Sequence, residues 1–190
     1  MILLPGLFNS DLSLTVMRRY LTRLGYRAEG WQLGRNLGVR TVGADAERLS
    51  ERIQSVGEPV SLVGVSLGGI LARLMAHRHP ELVREVVTVA SPYAGDARAT
   101  NVWRAFQLVT GERLDDPAVI ARSEAIAQPL PVPATAIWSR TDGLVSGAIC
   151  HDSSARCVEV RSSHYLVQMR PEVLIAVAQA LASPPSSPRP

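Results

Sequence analysis

The stretch Pro59-Val60-Ser61-Leu62-Val63-Gly64-Val65-Ser66-Leu67-Gly68-Gly69-Ile70-Leu71-Ala72 decides how this chain is read. Its first part, Pro59 to Val65, is a continuous apolar run rich in β-branched residues, the pattern of a strand buried on both faces of a parallel sheet. Its second part, Leu67 to His77, is a strongly apolar helix closed by Pro80. Between them stands Gly64-Val65-Ser66-Leu67-Gly68, a G-x-S-x-G sequence at the point where strand becomes helix. So sharp a turn forces the serine into a strained backbone conformation, and the residues two before and two after it approach too closely to carry a Cβ. The turn also sets the serine oxygen at a helix N-terminus, where free N–H groups and the dipole favour developing negative charge. Other uses of these glycines fail on the residues present. A P-loop begun at Gly64 needs Lys-Ser/Thr where Ile70 and Leu71 stand, and neither this turn nor the one at Gly6 supplies the G-x-G-x-x-G of a dinucleotide site. The bland alternative is a tight turn in which Ser66 only caps the helix.

Working outward, strand-like and helix-like segments alternate. Ile2 to Pro5 reads as a strand ending in the Pro5-Gly6 turn, and Ser10 or Asp11 caps a helix through Leu24, with Leu14, Met17, Leu21 and Leu24 at helical spacing. Tyr26 to Leu33 reads as a short strand, and about Thr41 to Val56 as one polar helix with Ala46, Leu49 and Ile53 on a single face. Glu85 to Ala90 is a second buried strand, Thr135 to Trp138 and Val158 to Val160 are the last two, and Pro171 opens a final helix through Leu181. This alternation predicts an α/β fold: about six mostly parallel strands with helices on both faces. The expected organisation is one domain over residues 1–182, followed by a disordered tail at 183–190 with four prolines in eight residues.

A serine needs a base to take its proton and a third group to fix that base, and after this kind of elbow they follow in the order Ser, Asp or Glu, His. His77 and His79 lie at the far end of the elbow's own helix, and His151 sits in a polar loop. His164 follows the last strand, just ahead of the final helix, and is the candidate base. Asp142, in Ser139-Arg140-Thr141-Asp142-Gly143 after the strand ending at Trp138, is the candidate acid, although Asp-Gly is also a common turn pair. Asp152, ten residues on, is less well placed, and Asp115 and Asp116 before Pro117 look like a helix start. An oxyanion needs two donors. The Leu67 N–H follows the nucleophile directly, and the loop Pro5-Gly6-Leu7-Phe8 supplies the other, Leu7 first and Phe8 second.

Composition narrows the chemistry. The chain has 190 residues and no lysine, so all 20 basic residues are arginine. That excludes Schiff-base lysines, PLP attachment and Ser-Lys dyads. The arginines are interleaved with 17 acidic residues to a net charge of +3, with no run of five like charges of the kind that binds nucleic acid. No stretch of 18 apolar residues spans a membrane, and Met1 to Gly6 lacks the marks of a signal peptide, so a cytoplasmic location is the default expectation, or a secreted one if a leader was trimmed.

These residues resemble the α/β-hydrolase superfamily, and within it the small lipase/esterase-like serine hydrolases. The resemblance runs from Leu3-Leu4-Pro5-Gly6 through Gly64-Val65-Ser66-Leu67-Gly68-Gly69 and Thr141-Asp142-Gly143-Leu144-Val145 to Ser163-His164. It implies Ser66 as nucleophile, Asp142 as acid and His164 as base. Pro5-Gly6 stands where such enzymes usually carry His-Gly, the HGGG-type motif is absent, and the chain starts at what is usually the third strand. Dehalogenases and epoxide hydrolases, with aspartate at the nucleophile, resemble it less.

Between Ser91 and Pro131 lies a long connection, an insertion of about residues 92–131 expected to be helical. Val102, Trp103, Phe106 and Val109 recur at helical spacing, and Asp116-Pro117 opens a second helix. Its apolar faces either cover the sheet or form a lid whose Phe106 and Trp103, with Phe8, meet an apolar acyl group. Cys150 and Cys157 pair in an oxidising compartment or remain two buried thiols; their spacing does not read as a metal site. The expectation is therefore a carboxylic ester hydrolase acting through an acyl-enzyme on a small ester with an apolar acyl group, without cofactor or metal. Acyltransferase, thioesterase and amidase share the apparatus, and a non-catalytic binding module on the same fold is the alternative from another class.

Overall fold

Backbone alternation in the strands sends successive side chains to opposite faces of one sheet, and each face needs its own layer of helices. The computed structural model describes residues 1–95, 107, 108, 110–113 and 115–183. Its strands are β1 (Ile2–Leu4), β2 (Glu29–Gly30), β3 (Val60–Val65), β4 (Val83–Val89), β5 (Ala134–Trp138) and β6 (Arg156–Glu159). They pair in the order β2-β1-β3-β4-β5-β6, every pairing parallel. The helices are α1 (Thr15–Arg23), α2 (Val39–Val42), α3 (Glu47–Gln54), α4 (Leu67–Arg78), α5 (Pro117–Ala127) and α6 (Pro171–Ala182).

One face carries Ile2, Leu4, Val60, Leu62 and Val86, covered by Val42 of α2, Leu49 and Ile53 of α3, and Leu71, Ala72, Met75 and Ala76 of α4. The other carries Leu3, Val63, Val65, Val87, Val89 and Ile137, covered by Met17 and Leu21 of α1 and by Val173, Val177 and Ala180 of α6. The continuous apolar runs in the sequence thus belong to strands buried on both sides. β2 and β6 are the sheet's edges, β2 being only two residues long and β6 largely exposed.

Several local expectations need correcting. The first helix is split: Asp11–Leu14 is a 3-10 turn ahead of α1, and Ser10 makes no side-chain cap bond. The Asp11 carboxylate instead accepts from the N–H groups of Trp31 and Gln32, fastening the end of β2. The single helix expected over Thr41–Val56 is two, α2 and α3, because Gly43 (φ 92°) and Ala46 (φ 54°) turn the chain through the left-handed region between them. The strand expected at Tyr26–Leu33 shrinks to Glu29–Gly30. Asp116 does cap α5, its carboxylate accepting from the Ala118 N–H at 2.8 Å, with Pro117 in the first turn.

In this sheet the chain leaves β1 to one side for β2 and returns on its other side as β3. The loops after β1 and β3 therefore diverge, leaving a crevice at the carboxyl ends of the strands, where open α/β sheets take their ligands.

Candidate active site

The Ser66 turn occupies that crevice. Ser66 has φ 52° and ψ −120°, outside the regions L-residues ordinarily populate. It is held there by hydrogen bonds from its N–H to the Val89 carbonyl (2.8 Å) and from the Gly69 N–H to its own carbonyl (2.9 Å). A Cβ on Gly64 would fall 2.3 Å from the Gly68 carbonyl oxygen, and one on Gly68 would fall 2.3 Å from that of Leu4. The two motif glycines are thus fixed by backbone against backbone, and the second lets α4 begin directly over β1.

Two loops from the other end of the sheet reach Ser66. After β5, Asp142 is 5% exposed; its Oδ1 accepts from the N–H groups of Leu144 (3.1 Å) and Val145 (2.8 Å). It forms a turn and, with its second oxygen, does something else: Oδ2 lies 2.9 Å from His164 Nδ1. After β6, His164 turns its Nε2 to within 3.2 Å of Ser66 Oγ. The backbone ties the loops in register, since the His164 N–H donates to the Asp142 carbonyl at 2.9 Å. Ser139 adds to this, its Oγ accepting from the N–H groups of Thr141 and Ser162, each at 3.1 Å. With the carboxylate accepting from Nδ1–H, Nε2 is left with its lone pair toward the serine hydroxyl.

Beside Ser66 runs the loop after β1. A Cβ on Gly6 would lie 3.4 Å from Ser66 Cβ, so this backbone passes the serine at van der Waals distance. The Phe8 N–H donates to the Asn36 carbonyl at 2.8 Å, which removes Phe8 as the second oxyanion donor. Among the described residues the N–H groups of Leu7 and Leu67 have no hydrogen-bond partner. Phe8 itself is exposed at φ 65° and lines a cavity shared with Ser66 and His164. Trp103 and Phe106 lie outside the described residues, as do Val102 and Val109 and the tail from 184 onward.

A profile of the alpha/beta hydrolase fold family matches residues 35–114, which include Ser66 but neither Asp142 nor His164. Among solved structures, the mature lipase BlEst2 of Bacillus licheniformis is similar over 94% of this chain and 90% of its own, at 16% identity and a TM-score of 0.69. The thioesterase domain from the curacin biosynthetic pathway is similar over 96% of this chain and 90% of its own, at 14% identity and a TM-score of 0.67. The chain has the α/β-hydrolase fold. The naproxen esterase of Bacillus subtilis shares that fold at 14% identity and a TM-score of 0.58, over 95% of this chain and 81% of its own. Comparison with curated proteins finds no match.

On this α/β-hydrolase frame the remaining candidates separate cleanly. His151 packs against Trp138, ring centroids 4.3 Å apart, and His77 and His79 close the far end of α4. Cys150 and Cys157 are both free thiols; Cys150 is buried and its pKa is pushed up to about 12, mainly by that burial, whereas Cys157 is exposed. Only one of the two is thus a buried thiol. Asn36 was invisible from the sequence. It is fully buried, donates from Nδ2 to the Pro5 carbonyl at 2.7 Å and accepts at Oδ1 from the Gly38 N–H at 3.0 Å. With its backbone bonds to Phe8 and Asn9 it clamps the loop that runs past Ser66. No groups of three or more His, Cys, Asp or Glu among the described residues are arranged to hold a metal ion, and no described helix is long and apolar enough to cross a membrane.

Proposed function

We propose that this protein is a serine hydrolase that cleaves carboxylic esters through an acyl-enzyme on Ser66. The observation that carries the proposal is the continuous hydrogen-bonded chain from Ser66 Oγ through His164 to Asp142, anchored at a serine held at positive φ. His164 Nε2 takes the hydroxyl proton as Ser66 attacks the ester carbonyl, and the buried Asp142 carboxylate stabilises the imidazolium that results. The N–H groups of Leu7 and Leu67 receive the oxyanion, at the α4 N-terminus where the dipole adds to them. His164 then returns the proton to the leaving alcohol. A water repeats the sequence on the acyl-enzyme, releasing the acid and restoring the serine hydroxyl. Phe8 borders the cavity that holds His164 and would contact the substrate there.

Labelling with a fluorophosphonate, read by intact mass, tests this directly. The wild type is expected to take one label and Ser66→Ala none, with the melting temperature of the variant retained. A folded wild type that stays unlabelled overturns the catalytic reading in favour of a binding module on the same fold.

A further inference from the structure

Two cavities meet at Ser66 and Leu7. One lies toward Phe8, His164 and Leu166. The other, of about 140 Å³, runs away along α4, whose residues Leu67, Ile70, Leu71 and Leu74 line it in succession. That spacing is one stripe of the helix, so the cavity follows the helix axis. The segment around α2 closes it on one side, through Val39 and Val42, and α5 on the other, through Val119 and Ile126.

Beyond Leu74 a second hollow opens along the same helix, lined by His77, Arg78 and Ala125. Leu74, Ala44, Arg122 and Ile126 belong to both linings and form the partition between them. Arg122 is ion-paired there with Glu112, their side chains 28% and 13% exposed. Among the described lining residues, Glu112 and Arg122 are the charged ones, and their pairing leaves neither charge free for the far end of a ligand.

We propose that Leu74 is the acyl-length stop of this pocket, which takes the linear, uncharged acyl chain of a medium-chain ester. The inference rests on the reading of Ser66 as the acylated residue. From Leu67 to Leu74 the helix rises about 10 Å, the reach of an extended chain of about eight carbons. The alcohol then lies in the opposite cavity, beside Phe8 and Leu166. Removing the Leu74 side chain joins the hollows and lengthens the channel by about one further turn, roughly 5 Å or four carbons.

The test is kcat/KM on p-nitrophenyl esters of increasing acyl length for wild type, Leu74→Ala and Leu74→Phe. The wild type is expected to gain up to about fourfold per methylene until about eight carbons and to lose activity beyond. Leu74→Ala should move the peak to about twelve carbons and Leu74→Phe to about five. Peaks at the same length in all three proteins overturn the inference while leaving ester hydrolysis standing. Should Leu74→Ala not fold, the shortening in Leu74→Phe carries the test alone. Calorimetric binding of alkanoates to Ser66→Ala, with and without Leu74→Ala, separates the pocket from the chemistry. An affinity peak at octanoate that moves to dodecanoate supports the pocket even where no ester is turned over, and affinity independent of length overturns it.

Discussion

Ser66 is held where its own backbone resists being, at a cost of roughly 1–3 kcal/mol for a non-glycine residue in so sparsely populated a region. A cap or a plain turn has no use for that expense, whereas a nucleophile presented above a helix N-terminus does. Ser66→Gly should therefore abolish fluorophosphonate labelling yet raise the melting temperature by about 2–4 °C for each kcal/mol of strain relieved. Gly68→Ala should do the reverse of stabilising, lowering stability by about 3 kcal/mol or more in a denaturant titration, because its new Cβ meets the Leu4 carbonyl. Asp142 allows a second separation of fold from chemistry. In Asp142→Asn the amide oxygen still accepts from Leu144 and Val145, so thermal melting should change little. The amide NH₂ would face His164 Nδ1 and favour the wrong tautomer, and kcat on an ester should fall by about 10⁴. Ser66, Asp142 and His164 were legible because each follows a strand and the three come in a chemically meaningful order. Asn36 and Ser139, which hold the surrounding loops, were not. Their partners Pro5 and Ser162 lie 31 and 23 residues away, and a small polar residue in a loop gives no sign of which distant backbone it will meet.

Among the elements, the most deeply buried were the easiest to read, since β3 is buried along its whole length, β4 from Val86 to Val89, and α4 on most of its surface, and each carries a run of apolar residues that a covered sheet requires. The α2–α3 segment misled because Ala46, Leu49 and Ile53 do share a buried face, yet the break at Gly43–Ala46 depends on left-handed backbone that periodicity does not register. α5 is set by a residue that apolar patterning also conceals. Arg73, on α4, is 1% exposed and lies with its guanidinium carbon 3.8 Å above the Tyr93 ring. Its Nε donates to the Ile126 carbonyl at 2.8 Å and its Nη2 to that of Gln128 at 2.6 Å, so it receives the unsatisfied C-terminal carbonyls of α5. Arg73→Met keeps much of the volume and removes every donor. It should cost about 2 kcal/mol, and hydrogen exchange should locate the loss: amides of α5 exchange faster while those of β3 and β4 keep their protection. Uniform loss of protection across the sheet would mean that Arg73 supports the core and not α5 in particular.

At the scale of the whole molecule, the order β2-β1-β3-β4-β5-β6 brings loops from both ends of the sequence to one crevice, and it was readable as a class because strands alternating with helices leave few other arrangements. The same sheet holds two glutamates whose environments oppose each other, which makes its response to pH specific. Glu29 on β2 has its pKa lowered, chiefly by the hydrogen bond from Arg52. Its stabilisation is present above the unfolded-state carboxylate value and is lost as pH falls through the lower folded one. Glu85 on β4 is shifted the other way, burial raising its pKa against the hydrogen bond from Ser61. Its folded form holds the proton more tightly, so the stability it contributes is complete below the unfolded value and is lost as pH rises through the folded one. Above the unfolded value, the raised pKa makes Glu85 a cost to the fold. Glu85→Gln keeps the acceptor for the Ser61 hydroxyl without the charge and should melt above wild type at about pH 7, the gap closing as both are acidified. Glu29→Gln should melt below wild type at about pH 7, and its gap should also close in acid. Melting curves of the three proteins across that range decide the matter. A Glu85→Gln variant no more stable than wild type at neutral pH would show that water already reaches the Glu85 carboxylate between β3 and β4.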